Sequence, residues 1–146
     1  MKKVLFSALA TVLITASSFA TDAKKVNTKA ANVFVAEFKD AKSVNWTSTT
    51  NYVKASFTLD NKNMEAFYDM RGNMIGTSTA ISLEELPTNA KRSLAKKLDG
   101  YTVKEAIQFD GTDETAYYVS AENDTQSLLL KVSEDGFVMV FKQTKR

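Results

Sequence analysis

Two stretches of this chain carry the same order of strand, polar turn with glycine, and strand. They are EAFYDMRGNMIGTST at residues 65–79 and SLLLKVSEDGFVMVF at residues 127–141, so their starts differ by 127 − 65 = 62 positions. At that offset the inward-facing residues align as Phe57 with Val119, Leu59 with Ala121, Ala66 with Leu128, Tyr68 with Leu130, and Met70 with Val132. Because a one-residue slip turns every side chain to the other face of a strand, the matched alternation predicts a duplicated unit.

Apolar residues four positions apart predict one helix in each half. Residues 29–40 carry Ala30, Phe34 and Phe38 at this spacing, and a second run has Ala90 and Leu94 at the same spacing. Pro87 fits the start of the second helix because its missing N–H is not needed there, and Gly100 marks its end.

Alternating apolar and polar residues predict strands around the helices, with polar turns between them. On residues 101–110 this alternation puts Val103, Ile107 and Phe109 on one face. We therefore predict an α+β fold that is a tandem duplication of an α-β(4) unit, repeat 1 at about 29–80 and repeat 2 at about 81–146. The two units together would form an antiparallel sheet of about eight strands, with helices on one face and solvent on the other.

The first 20 residues have the pattern of a secretory signal peptide. Lys2 and Lys3 precede an apolar stretch, Val4 to Ala16, and small residues at Ser18 and Ala20 suit a cleavage site. The apolar stretch is too short to span a bilayer, so we expect no membrane insertion after cleavage. Residues 21–28 are polar and predict a loose mature N-terminus, which leaves 29–146 as the folded domain.

Composition excludes several classes of function. The chain has 19 basic and 17 acidic residues, and removal of Lys2 and Lys3 leaves 19 − 2 = 17 of each. This balance argues against nucleic-acid binding, which needs a surplus of positive charge on one face. The chain has neither Cys nor His, so it lacks disulfides, thiol catalysis and the commonest general base and metal ligand. We therefore predict no cofactor, no metal and no catalytic residues.

Three pieces of the mature sequence carry a family resemblance. They are an A-x-x-V-x-W pattern ending at Trp46, an Ala-Phe-Tyr-Asp strand before the glycine turn (66–72), and Leu86-Pro87. With them the chain resembles the PepSY-like, beta-lactamase-inhibitor-like small exported proteins of Gram-negative bacteria. The resemblance implies the duplicated α-β(4) fold with a concave free face, which in the namesake inhibitor grips a target enzyme. It also implies a periplasmic or secreted location. This chain lacks the inhibitor's disulfides, and none of the inhibitor's contact residues can be placed here by motif.

Outward-facing positions of the strands supply the candidate partner-binding residues. If Val53 and Phe57 face the helices, the opposite face carries an aromatic and charged set: Tyr52, Lys54, Glu65, Phe67, Tyr118, Leu129 and Lys131. Exposed apolar patches often mark contact sites, and ordinary cross-strand pairing that stabilises the sheet explains the same pattern. Both interpretations stay open at this point.

Other candidate features favour structural roles. Trp46, the only Trp, is interpreted as a seal between the first helix and the first strand, with a binding hot spot as the alternative. Residues 110–114, DGTDE, lack the full calcium-loop pattern and predict a hairpin turn. Glu84 and Glu85 are adjacent, so their side chains point in different directions and do not form a catalytic pair.

The combined observations predict a non-catalytic binding module of the cell envelope. An inhibitor of a secreted or periplasmic enzyme, binding through the free face of the sheet, is its most specific form. The alternative is a peptide-binding or sensing module that adds an extended segment to an exposed sheet edge. An enzyme is the third class, and it would have to use carboxylates, Lys or Tyr as its acid or base.

Overall fold

The structure is a computed structural model, and it describes residues 26–145. Helix α1 (Thr28–Glu37) is followed by β1 (Lys42–Ser48), β2 (Tyr52–Leu59), β3 (Lys62–Asp69) and β4 (Met74–Ala80). A 3-10 turn (Leu83–Glu85) leads to α2 (Thr88–Lys97), β5 (Thr102–Gly111), β6 (Thr115–Glu122), β7 (Gln126–Ser133) and β8 (Val138–Lys145). The strands form one antiparallel sheet in sequence order, which confirms the predicted α+β class.

The described residues divide into two compact units. The N-terminal unit contains residues 26–79 together with 110–114, and the C-terminal unit contains residues 80–109 and 115–145. The predicted signal peptide, residues 1–20, lies outside the described residues. Of the predicted loose segment 21–28, only the last three residues are described, and Asn27 and Thr28 already belong to the cap and start of α1.

Helix α1 forms because one polar residue caps it and one apolar stripe is buried. The side chain of Asn27 accepts a hydrogen bond from the N–H of Lys29, 2.9 Å away, which satisfies one of the free donors at the helix start. Ala30 and Phe34, four positions apart, are buried. The Phe34 ring lies 4.9 Å from the Phe57 ring on β2. Burial of such a side chain stabilises the fold by roughly 1.5–3 kcal/mol.

Helix α2 has the same length and buries the same positions of its stripe. Ala90 and Leu94 are buried and pack, with Leu86, against apolar side chains of the C-terminal unit: Val119, Leu128, Leu130, Val132 and Val138. Lys96 and Lys97 occupy the last turn, where positive charge interacts favourably with the helix dipole. The predicted inward-facing positions Val119 of β6 and Leu128, Leu130 and Val132 of β7 are thereby confirmed.

A glycine turn contacts the start of the helix in each unit. Gly72 follows β3 with φ of 82°, and Gly136 follows β7 with φ of 88°. A Cβ atom built on Gly72 would lie 2.9 Å from the backbone N of Ala30, and one on Gly136 would lie 2.8 Å from the N of Ala90. Only glycine combines this backbone conformation with so close an approach.

Two inward-facing predictions were wrong. Met70 was assigned to the inner face of a strand, but β3 ends at Asp69 and Met70 is exposed in the turn. The strand ends there because the Asp69 carboxylate accepts hydrogen bonds from the N–H groups of Arg71 and Asn73, at 2.8 and 2.9 Å.

The second error concerns the faces of β5. Val103 packs against the cluster beneath α2, which also contains Ala106. Residues three positions apart cannot share a face in a regular strand, so β5 is irregular between them. Ile107 and Phe109, which we predicted to share a face with Val103, are buried but belong to neither cluster beneath a helix.

Candidate partner-binding surface

In the N-terminal unit, four of the predicted site residues lie on the face opposite to α1. Val53, Ala55 and Phe57 of β2 pack beneath α1, so the alternate residues, Tyr52 and Lys54, point to the other face. On β3 the register places Phe67 opposite Lys54 and Glu65 opposite Ser56. The fold therefore brings Tyr52, Lys54, Glu65 and Phe67 together, as the alternation predicted.

The two charged residues of this group form an ion pair across the strands. Lys54 Nζ lies 2.7 Å from Glu65 Oε1, and the Ser56 hydroxyl donates to the same oxygen at 3.2 Å. The side chains are only 13% and 18% exposed. Partial removal of water strengthens such a pair but leaves each charge dependent on its partner.

The two aromatic residues of this group lie beside the ion pair. The rings of Tyr52 and Phe67 are 5.9 Å apart, a separation at which aromatic rings attract each other. Burial, and to a smaller extent the negative charge of Glu65, raises the pKa of the Tyr52 hydroxyl above its ordinary value. Tyr52 is therefore a neutral hydrogen-bonding group at physiological pH, not a base.

In the C-terminal unit, the three remaining predicted residues also lie on the face opposite to the helix. Tyr118 of β6 pairs with Lys131 of β7, and Ser120 pairs with Leu129. The Tyr118 ring makes an edge-on contact with the Phe141 ring of β8, with centroids 5.6 Å apart and planes at 83°. Phe141 was missed as a site residue, although strict alternation along β8 already placed it on this face.

The exposure of this face corrects one expectation. We expected the face to be open to solvent, but Tyr52, Phe67, Tyr118 and Leu129 are between 0% and 8% exposed in the 146-residue chain. Alternation fixes the face toward which a side chain points, whereas exposure depends on everything that lies over it. Large rings on neighbouring strands shield one another, as the Tyr52–Phe67 contact does. The half-buried Lys54 and Glu65 remain partly accessible.

The other residues that the sequence singled out, Trp46, Glu84 and Glu85, make contacts within the fold. Trp46 on β1 packs with Phe34 and Tyr68, at ring distances of 5.3 and 5.9 Å, as its interpretation as a seal requires. Glu85 accepts a hydrogen bond from the Ser82 N–H in a capping box, and Glu84 pairs with Lys91 at 3.4 Å.

The DGTDE segment closes the β5–β6 hairpin, with the Gly111 N–H donating to the Glu114 carbonyl oxygen at 2.9 Å. Within residues 26–145, no three acidic side chains lie together in a way that could hold a metal ion. In the same residues, no helix is long and apolar enough to cross a membrane.

Solved structures with the same fold come from Bacteroides. A DUF2874 family protein from Bacteroides uniformis superposes with a TM-score of 0.73 at 12% identity, covering 83% of this chain and 90% of that chain. A Bacteroides eggerthii protein named as a candidate periplasmic protein gives 0.71 at 12% identity, with 88% and 90% covered. A BLIP-like protein from Bacteroides fragilis gives 0.68 at 17% identity, with 83% and 86% covered.

These similarities establish the fold alone. No protein-family description matches the chain, and no curated protein matches it. The BLIP-like neighbour confirms, for the fold, the beta-lactamase-inhibitor-like part of the resemblance. None of these neighbours is named PepSY-like, so that part of the resemblance stays a prediction.

Proposed function

We propose that this protein is a non-catalytic binding module of the cell envelope. Two of its structural neighbours are named as a candidate periplasmic protein and as a BLIP-like protein, which supports an exported binding protein. We place it in the periplasm or outside the cell. Inhibition of an exported enzyme is the most specific form of this proposal.

One observation carries the proposal: a half-buried ion pair beside an aromatic pair, on the sheet face that α1 does not cover. Apolar contacts stabilise the core of a protein, whereas a buried ion pair adds little to the net stability of the fold. Binding surfaces, by contrast, combine aromatic anchors with a few charges that select the partner. Lys54, Glu65, Tyr52 and Phe67 have this combination.

Duplication of the unit belongs to the proposal as well. It is supported by two ten-residue helices that bury equivalent positions and by the matching approach of Gly72 and Gly136 to those helices. The pairing of β3 with β4 and that of β7 with β8 also shift register at equivalent points, after Phe67 and after Leu129. A duplicated unit would present two related surfaces, one around Lys54 and one around Lys131.

The proposal requires that a partner can reach the buried rings, so accessibility is the first measurement. Oxidative footprinting with mass spectrometry is done on the full-length chain and on the chain that starts at Thr21. We expect oxidation of Tyr52, Phe67 and Tyr118 in the shorter chain. If these rings stay unreactive there while exposed Phe137 is oxidised, the face is closed and cannot be the partner surface.

Partner capture is the second measurement. The chain that starts at Thr21 is immobilised and exposed to a cell-envelope extract, and retained proteins are identified by mass spectrometry. A Lys54→Ala/Lys131→Ala double variant should lose the partner, because these half-buried cations are the charged part of the surface. The matched control is Arg92→Ala/Lys96→Ala, which removes two exposed cations from α2. Equal retention by both double variants, with unchanged circular dichroism, rules out this face.

The peptide-binding alternative predicts a different retained species. A linear peptide that still binds after the Lys54→Ala/Lys131→Ala change would favour binding at a sheet edge through backbone hydrogen bonds. Binding at a sheet edge does not use the side chains of Lys54 or Lys131.

A further inference from the structure

A row of polar side chains crosses the four strands of the N-terminal unit. Asn45 of β1 lies opposite Ser56 of β2. Ser56 lies opposite Glu65 of β3, and Glu65 lies opposite Ser78 of β4. Ala66, next to Glu65, is buried beneath α1, so the side chains of this polar row point to the face that α1 does not cover.

The ion pair in the polar row has hydrogen-bonding capacity left over. Lys54 and Ser56 both donate to Oε1 of Glu65, and no other group of residues 26–145 donates to Oε2. The Lys54 ammonium carries three donors, of which Glu65 takes one. A free acceptor therefore lies beside free donors in a place that is largely shielded from water.

Two hydroxyl groups beside this ion pair are buried without a partner. Ser78 is 4% exposed and Tyr52 is 8% exposed. Neither hydroxyl is hydrogen bonded to any part of the chain that the structure describes. Burial, and then the charge of Glu65, raises the pKa of Tyr52, so its hydroxyl stays protonated. Because buried polar groups are nearly always hydrogen bonded, we expect these hydroxyls to be paired with a group from outside the chain.

The polar row is accessible from the side of β1. Asn45 and Thr47, which lie opposite Ser56 and Lys54, are exposed. Among the described strands, β1 pairs with β2 alone. A small ligand can therefore reach Lys54 and Glu65 across β1.

We propose that the polar row binds a neutral sugar through adjacent hydroxyl groups. A hydroxyl both donates and accepts hydrogen bonds, so one sugar hydroxyl donates to Glu65 Oε2 and accepts from Lys54, while its neighbours pair with the hydroxyls of Ser78 and Tyr52. The ligand is neutral because Lys54 and Glu65 balance each other, and an added charge at this half-buried position would lack a counter-charge. A side-chain amide of a protein has only two polar atoms, too few for this set. The inference rests on the proposed partner surface, but it concerns the N-terminal unit alone.

A nuclear magnetic resonance titration tests the proposal. The isotope-labelled chain that starts at Thr21 contains every described residue, and it is titrated with the methyl glycosides of glucose, galactose, mannose and N-acetylglucosamine. We expect at least one of them to shift the amide signals of Ser56, Glu65 and Ser78, with a Kd on the order of 1 mM, as is usual for a small ligand. If none of these sugars shifts these signals, the proposal is wrong.

Two variants remove the unpartnered hydroxyls without changing the packing. Tyr52→Phe and Ser78→Ala should both keep the stability of the fold, and each should weaken sugar binding about 2–10-fold through the loss of one hydrogen bond. The matched control is Ser127→Ala on β7, a half-buried Ser in the C-terminal unit, which should leave the Kd unchanged. Unchanged binding by both Tyr52→Phe and Ser78→Ala would show that the sugar does not occupy the polar row.

Salt concentration distinguishes a neutral ligand from a charged one. Raising the ionic strength from about 0.01 to about 1 M shortens the screening length from about 30 to about 3 Å, and the Kd of a neutral sugar should change by less than about twofold. A stronger dependence, or tighter binding of glucuronate or glucosamine than of glucose, overturns the proposal. If no sugar binds while Lys54→Ala/Lys131→Ala still loses a captured protein, this inference fails and the proposed function stands.

Discussion

The contact between each glycine turn and its helix gives the sharpest test of the fold. Gly72, Gly100 and Gly136 all have positive φ, at 82°, 76° and 88°. They differ in the space that a side chain would meet. At Gly72 and Gly136 a new Cβ would lie within 2.9 Å of a backbone nitrogen, whereas at Gly100 it would meet nothing within 4 Å. The three Gly→Ala variants therefore separate backbone strain from steric overlap.

The expected cost differs between the sites. A side chain held in the left-handed conformation costs roughly 1–2 kcal/mol, and Gly100→Ala should lose only that much stability. Gly72→Ala and Gly136→Ala add an overlap with the rigid first turn of a helix, and overpacking of this kind costs about 1–3 kcal/mol more. We therefore expect a total loss of about 2–5 kcal/mol at these two sites.

Urea unfolding followed by circular dichroism measures these differences. The free energy of unfolding is compared for the original chain and the three variants. An equal slope of this free energy against urea concentration shows that all four chains unfold to a similar denatured state. Gly100→Ala is the matched control because it has the same change and the same sign of φ. If all three variants lose equal stability, the glycine turns are not packed on the helices as the structure has them, and the argument for equivalent units loses that support.

Three further predictions concern single side chains of the N-terminal unit. The Tyr68 hydroxyl is buried without a hydrogen-bond partner in the described residues, so Tyr68→Phe should be neutral or stabilising in urea unfolding, and a loss above about 1 kcal/mol would reveal a partner such as a bound water. Phe34→Ala should cost about 3–5 kcal/mol, whereas Val35→Ala, at an exposed neighbouring position, should cost under about 0.5 kcal/mol in the same assay. Burial raises the pKa of Asp69, but hydrogen bonds from Asn73 and a backbone N–H outweigh it and leave the pKa below its ordinary value of 3.8. A lowered folded-state pKa stabilises the protein above pH 3.8, and this stability is lost as the pH falls through the folded-state pKa. Asp69→Asn should therefore lose less stability on acidification than the original chain does, as measured by the urea midpoint at each pH.

Regular periodicity was the part of the fold that could be predicted. Spacing of four fixed the buried stripes of α1 and α2, because a helix brings residues four apart onto one side whatever surrounds it. Alternation fixed the two faces of β2, β3, β6 and β7 for the same reason. Strand β1, KSVNWTS, has no such pattern, because only Trp46 among its residues is partly buried. Irregular β5 was assigned to the wrong face at Ile107 and Phe109.

The candidate site was predicted only in its placement. Alternation correctly grouped Tyr52, Lys54, Glu65 and Phe67, but it carries no information on the contacts that bury them. Lys54 and Glu65 are diagonal neighbours on β2 and β3, since Lys54 lies opposite Phe67 and Glu65 lies opposite Ser56. Their ion pair therefore requires the exact register of the two strands. Register follows from the turn and the core together, and the sequence gives the turn residues without the pairing that they produce.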